Sequence, residues 1–147
     1  MSRVVVARLD EFPPDGRRVV TVGGRSIGVF RVRDRFFAIR NRCPHQGGPL
    51  CEGRVFPRAS ASTPGEYALD EDVPLLACPW HGWEYDLATG QSWIGAGEPH
   101  VRSYPVSVER GDVLAAALEA PAEPTPGPYV AETFPVSVEE EYVVLDA

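Results

Sequence analysis

Two short segments of the sequence each place a cysteine close to a histidine. The first reads C-P-H from Cys43 to His45, and the second reads C-P-W-H from Cys78 to His81. Thiolates and imidazoles bind transition metals, and a spacing of two or three residues lets both side chains of a loop turn to the same side. The proline in each segment stiffens its loop before a metal is bound. Cys43, His45, Cys78 and His81 therefore predict a metal centre held between two loops.

Glycines next to these residues support the same interpretation. Gly47, Gly48 and Gly82 leave room for backbone N–H groups to approach a sulfur anion, because glycine has no Cβ. The sequence contains three cysteines, an odd number, which argues against a scaffold of disulfides. Metal or redox chemistry explains the cysteines better.

The two segments resemble the Rieske iron-sulfur proteins in the motifs CPHQGGPL, residues 43–50, and CPWHGW, residues 78–83. In a Rieske centre two histidines replace two cysteines on one iron of a [2Fe-2S] cluster. The resemblance implies that Cys43 and Cys78 hold one iron, and that His45 and His81 hold the other. The same residues could also form a tetrahedral zinc site, but paired loops with a glycine cover favour the cluster.

Cys51 lies outside this ligand set. In Rieske proteins of membrane cytochrome complexes an extra cysteine in each loop forms a disulfide, and the resemblance places Gly48 and Trp80 at those positions. That disulfide is therefore excluded. We expect Cys51 to pack as a small apolar residue beneath the loop, and Trp80 and Trp83 to shield the cluster from water.

The histidine count limits the activity. Only His100 remains outside the ligand set, and one histidine cannot complete the site of two histidines and a carboxylate that oxygenases of the family add. No dinucleotide or P-loop motif is present, so we expect no catalytic residues. The sequence predicts a soluble Rieske-type ferredoxin that carries one electron from a reductase to an oxygenase or other terminal oxidoreductase. The alternatives are a fixed small subunit of a larger complex, such as a nitrite-reductase-like enzyme, and an iron-sulfur sensor.

Short β-strands are predicted to position the loops. Valine-rich runs alternate with turn residues, and Gly23-Gly24 suits a tight hairpin. The resemblance implies an all-β, Rieske-like antiparallel β sandwich with a small cluster-binding subdomain made of loops 42–53 and 78–83. The expected strands are Arg3–Arg8, Arg17–Val22, Ser26–Val32, Phe36–Arg40, Leu75–Ala77 and a hairpin over residues 83–94. The polar insert 57–72 is expected to be irregular.

The C-terminal part contains an internal repeat, in which residues 104–109 recur as residues 134–139. We expect two edge hairpins of one sandwich, although residues 113–119 fit a helix as well as a strand. The predicted organisation is a Rieske domain over residues 1–118, a proline-rich linker over 119–128 and a C-terminal hairpin over 129–147 packed on the same domain.

Charge is unevenly distributed along the 147 residues. Residues 1–58 hold 12 Arg and 5 acids, and residues 59–147 hold 2 Arg and 16 acids, which gives +7 and -14, or -7 in total. A net negative chain is an unlikely nucleic-acid ligand, and the acidic half predicts a redox partner with a basic patch. No apolar run of 18 residues and no signal peptide are present, so we expect a cytoplasmic protein without a membrane partner.

Overall fold

The computed structural model describes residues 3–92, 100–118 and 140–147. Every strand pair in these ranges is antiparallel, which confirms the predicted all-β class. The elements are β1 (Arg3–Arg8), β2 (Arg17–Val22), β3 (Arg25–Val32), β4 (Arg35–Arg40), β5 (Arg54–Thr63), β6 (Glu66–Ala77), β7 (Glu84–Asp86), β8 (Ser103–Tyr104), β9 (Val106–Arg110), α1 (Gly111–Leu118) and β10 (Glu141–Asp146). Short 3-10 turns occupy Leu9–Glu11 and Leu50–Glu52.

The strands form three sheets. The first has the order β1-β10-β9, the second β2-β3-β4-β8 and the third β5-β6-β7. The predicted hairpin between β2 and β3 turns at Gly23 and Gly24, whose φ angles of 56° and 74° lie in the left-handed region that glycine adopts most easily. The turn pairs Val22 with Arg25 and so fixes the register of the second sheet.

The second sheet buries apolar residues on both faces, because successive side chains of a strand point to opposite sides. One face packs against the first sheet and the other against the third sheet and the two loops. Toward the first sheet lie Ile27, Val29, Ala38 and Tyr104, which share a core with Val143 and Leu145. Toward the loops lie Phe30, Phe37 and Ile39, which share a core with Cys43, Cys51, Cys78, Leu76 and Tyr85.

The insert 57–72 is not irregular, as we had expected, but belongs to the long β5–β6 hairpin. Thr63 pairs with Glu66 across a turn at Pro64-Gly65, and Gly65 has a φ of 84°. A proline followed by a glycine is the signature of a type II turn. Both faces of the hairpin near its tip are exposed to solvent, so the usual alternation of apolar and polar residues is missing. The sequence pattern therefore did not predict these strands.

The tail also differs from the prediction. Residues 111–118 form helix α1 and no strand, since three consecutive alanines favour a helix and contribute little to a sheet. β9 therefore pairs with β10 and not with a following strand of its own. β10 lies between β1 and β9, so both of its edges are occupied. The linker 119–128 and the second repeat, residues 134–139, lie outside the described residues.

Helix α1 has eight residues, and no helix in the described ranges reaches the length and apolar character that crossing a bilayer requires.

Candidate metal centre

The two cysteine–histidine loops have the same backbone hydrogen bonds. In the first, the Cys43 N–H donates to the Gly48 carbonyl at 2.9 Å and the Gly47 N–H donates to the Cys43 carbonyl at 2.7 Å. In the second, the Cys78 N–H donates to the Trp83 carbonyl at 2.8 Å and the Gly82 N–H donates to the Cys78 carbonyl at 2.9 Å. Each pattern closes a tight loop that begins at its cysteine.

Glycine is required at the same point of each loop. Gly47 and Gly82 have φ angles of 78° and 72°, which other residues adopt only at a cost in strain. Two segments far apart in the sequence therefore share one backbone turn.

The two cysteines form the buried side of the site. Cys43 is 2% exposed and Cys78 is 3% exposed, and their thiols lie close enough to interact. Burial raises the pKa of Cys78, and the neighbouring Cys43 raises it further, while the backbone N–H groups of Trp80 and His81 oppose the shift. The two adjacent thiols therefore ionise more easily when a cation compensates the negative charge of the thiolates.

The two histidines form the outer side of the site. The ring centroids of His45 and His81 are 4.9 Å apart and the rings are nearly perpendicular at 81°. His45 is half-buried, and its Nδ1 atom is shielded from solvent without a hydrogen-bond partner. His81 is exposed. A buried nitrogen without a partner is costly, so the His45 imidazole fits a site in which that nitrogen binds a metal.

Trp83 holds the His45 ring in place. The two rings stack with centroids 4.1 Å apart and an interplanar angle of 12°. Trp83 itself is half-buried. The predicted shielding role of Trp83 is consistent with this stack, which covers one face of the imidazole.

Trp80 behaves differently from Trp83. A Cβ on Gly48 would lie 2.9 and 3.1 Å from atoms of the Trp80 ring and 3.0 Å from Cys78 Sγ, so the second loop packs directly on the glycine of the first. The opposite side of Trp80 is open, and the residue is 55% exposed. Trp80 therefore joins the two loops and also presents an aromatic surface to solvent.

Tyr85 lies beneath the first loop. It is fully buried, and its hydroxyl is 3.3 Å from Cys43 Sγ. Burial, together with the neighbouring Cys43, raises the pKa of Tyr85 above its ordinary value. The phenol consequently remains protonated and can donate a hydrogen bond to the sulfur.

The end of the first loop is fastened to the second sheet by residues that the sequence analysis missed. The Arg17 guanidinium donates from Nη1 to the carbonyls of Cys51 and Gly53 at 2.9 and 2.6 Å. The Asn41 side chain accepts a hydrogen bond from the Cys51 N–H at 2.8 Å and donates to Ser26 Oγ at 3.2 Å. No sequence pattern predicts contacts between such distant residues.

Cys51 packs beneath the loop, as predicted. It is 1% exposed, and its Sγ donates to the Ile39 carbonyl at 3.7 Å. Burial raises the pKa of Cys51 to about 12, although the nearby Arg17 charge lowers it in part. The thiol is therefore neutral.

Comparison with known proteins gives the family. The model of the Rieske [2Fe-2S] domain matches residues 2–105. The chain belongs to this family. Rieske domains bind a [2Fe-2S] cluster with cysteine and histidine ligands.

Two curated relatives of this Rieske protein are ferredoxins. Ferredoxin CarAc of Metapseudomonas resinovorans is 31% identical over 112 residues, which cover 76% of this chain and 90% of the relative. The 3-phenylpropionate/cinnamic acid dioxygenase ferredoxin subunit of Escherichia coli (strain K12) is 28% identical over 120 residues, covering 82% and 98% of the two chains.

A solved structure shares the fold of the Rieske protein. The ferredoxin of carbazole 1,9a-dioxygenase from Nocardioides aromaticivorans IC177 superposes with a TM-score of 0.55 at 28% identity, and the match covers 74% of this chain and 91% of that one. The part of this chain that follows the matched domain carries β10, which completes the first sheet.

The residues present fit the cluster of a Rieske domain. The site contains two thiols on its buried side, an imidazole nitrogen without a partner, and a glycine in the place where a Cβ would press on Cys78 Sγ. Within residues 3–92, 100–118 and 140–147, no three His, Cys, Asp or Glu side chains gather around a position for a single metal ion.

Proposed function

We propose that this Rieske protein carries single electrons from a reductase to an oxygenase or another terminal oxidoreductase. The observation that supports this proposal most directly is that two loops with identical backbone hydrogen bonds each carry a cysteine and a histidine, with the two imidazole centroids 4.9 Å apart. The ferredoxin relatives support the role of carrier, and those named for a dioxygenase support the choice of an oxygenase as acceptor.

We propose Cys43 and Cys78 as ligands of one iron, and His45 and His81 as ligands of the other. The depths of the side chains support this division, since both cysteines are buried and His81 is exposed. A Rieske cluster supplies a one-electron redox couple. His81 lies where a partner protein can approach. Tyr85, beneath the first loop, and Trp83, stacked on His45, limit the access of water to the site.

The test measures the cluster directly. The purified protein should be red-brown and should contain about two irons and two acid-labile sulfides per chain. His45→Ala and His81→Ala should each abolish the characteristic visible spectrum, because each removes one of the proposed ligands of the same iron.

His100→Ala is the matched control, because His100 is exposed, pairs with Gln91 and is outside the proposed ligand set. This variant should keep the spectrum and the iron content. One zinc per chain with no visible absorption would contradict the proposal.

The cytoplasmic location predicted from the sequence is also a proposal. Fractionation of the native host should recover the protein with the cytoplasmic fraction, and recovery with a membrane or exported fraction would contradict it.

A further inference from the structure

Four arginines lie at the end of the second sheet that carries the first loop. Arg25 begins β3, Arg40 ends β4, Arg42 directly precedes Cys43, and Arg102 directly precedes β8. The three strands are neighbours: Ile27 of β3 pairs with Arg40, and the Arg40 N–H donates to the Arg102 carbonyl at 2.9 Å. We call Arg25, Arg40, Arg42 and Arg102 the arginine row.

Tyr104 holds two members of the arginine row in place. The guanidinium carbons of Arg25 and Arg102 each lie 5.5 Å from the centroid of the Tyr104 ring. Arg25 also donates to the Val22 carbonyl at 3.3 Å. Contacts with an aromatic face and a backbone carbonyl order a guanidinium without neutralising its charge.

Among the described residues, the arginine row differs from many other arginines in its ion pairs. Six arginines form ion pairs with acids, namely Arg3, Arg8, Arg31, Arg33, Arg58 and Arg110. In the parts of the chain that the structure describes, no member of the row is in an ion pair. Among the described residues, positive charge therefore accumulates at the row, whereas the net charge of the full sequence is -7.

The backbone of the arginine row lies beside the start of the first loop. The Arg42 guanidinium is 3.6 Å from the position that a Cβ on Gly47 would occupy. The Asn41 N–H donates to the Ser26 carbonyl at 2.9 Å, which joins the start of this loop to the strand that begins at Arg25. A charged group on a redox partner that approaches the first loop would meet Arg42 at short range, whereas Arg25 and Arg102 contact Tyr104 on the opposite face of the second sheet and add to the positive field at this end.

We propose that the arginine row is a docking surface for an acidic patch on the redox partner. This inference rests on the proposed electron-carrier function and identifies the chemistry of the partner's surface. It differs from the expectation drawn from the acidic residues 59–147, which is a partner with a basic patch, because an encounter next to the proposed cluster is governed by the nearest charges more than by distant ones.

Two small oxidants of opposite charge test the proposal. The protein is reduced with dithionite and then mixed with hexacyanoferrate(III), an anion, or with tris(phenanthroline)cobalt(III), a cation. In each case one electron leaves the protein and reduces the metal complex to its divalent state. If the arginine row directs the encounter, added salt should slow the reaction with hexacyanoferrate(III) in spite of the negative net charge.

Arg42→Gln and Arg102→Gln should each slow the reaction with hexacyanoferrate(III) by about threefold at low ionic strength, and should not slow the reaction with the cobalt complex. Arg18→Gln is the matched control, because Arg18 is exposed on β2, opposite Val29 and away from the row. This control changes the net charge equally and should leave the ratio of the two rates close to that of the wild type.

Two results would overturn the docking surface. One is a reaction with hexacyanoferrate(III) that added salt accelerates, which indicates a local negative field. The other is an equal rate ratio in Arg42→Gln, Arg102→Gln and Arg18→Gln. The proposed electron-carrier function fails separately, at the first step, if the protein holds no reducible cluster that bleaches with dithionite.

Discussion

At the scale of single residues, Tyr85 is the closest side-chain hydroxyl described at the buried sulfurs. Its hydroxyl is 3.3 Å from Cys43 Sγ, and its raised pKa keeps it protonated. A donated hydrogen bond stabilises the more negative, reduced form of an iron-sulfur site. Tyr85→Phe should therefore lower the reduction potential, by about 40 mV if the hydrogen bond contributes ~1 kcal/mol to the difference between the two states.

Protein-film voltammetry measures this shift. Tyr142 lies on β10 of the first sheet, and its hydroxyl donates to the exposed Glu140. Tyr142→Phe removes this hydroxyl and should leave the reduction potential unchanged. An unchanged potential in Tyr85→Phe would show that the hydroxyl does not donate to the sulfur.

Cys51 allows a prediction about pH. Because burial raises its pKa to about 12, its neutral form persists at high pH, and only about one molecule in 10⁴ carries the thiolate near pH 8. Alkylation of Cys51 by iodoacetamide in the folded protein should therefore be very slow, and should accelerate about tenfold per pH unit up to about pH 12.

Mass spectrometry of the Cys51 peptide measures the labelling. The same reagent in denaturant is the control and should label Cys51 rapidly. Labelling of the folded protein at the rate of an ordinary thiol would contradict both the burial and the raised pKa. Cys51→Ser should keep the visible spectrum, because Cys51 is separate from the proposed ligands.

At the scale of elements, we expect the outer part of the β5–β6 hairpin to be dispensable for the fold. Residues 59–69 are all exposed, and Arg58 pairs directly with Asp70 below them. Replacing residues 59–69 by Asn-Gly closes the hairpin with a two-residue turn that suits antiparallel strands. The shortened protein should keep its visible spectrum, and its thermal midpoint should change by no more than about 3 °C.

The inner part of the same hairpin should behave differently. Leu75 and Leu76 are buried, and Ala77 leads directly to Cys78. Leu76→Ala should destabilise the protein by about 2–5 kcal/mol, because it opens a cavity in the core shared with the cysteines. If the protein with the shortened hairpin loses its visible spectrum, the outer part of the hairpin supports the two loops.

At the scale of the whole molecule, the question is whether the electron carrier is a free protein or a fixed subunit of a larger complex. A free carrier exchanges between partners, so it needs only a small, transient interface. Affinity-tagged protein expressed in its native host should elute from size exclusion without a larger chain. Stoichiometric co-purification with a larger oxidoreductase would identify a fixed subunit and contradict the free carrier.

The sequence by itself determined the chemistry and much of the local structure. The cysteine and histidine motifs identify the proposed ligands, because each motif consists of residues that are close together in the sequence. The hairpin of β2 and β3 was predictable for the same reason, because valine-rich strands flank Gly23-Gly24. The β5–β6 hairpin also had a local signal, Pro64-Gly65, which the sequence analysis did not use.

Only the tertiary structure decided which distant segments meet. β10 lies between β1 and β9, and Arg3 pairs with Asp146 across almost the entire chain. Arg17 reaches the carbonyls of Cys51 and Gly53. The arginine row brings Arg102, from the acidic part of the sequence, next to three arginines of the basic part. Periodicity and turn residues report on local conformation, whereas pairing between distant strands depends on the packing of the whole core.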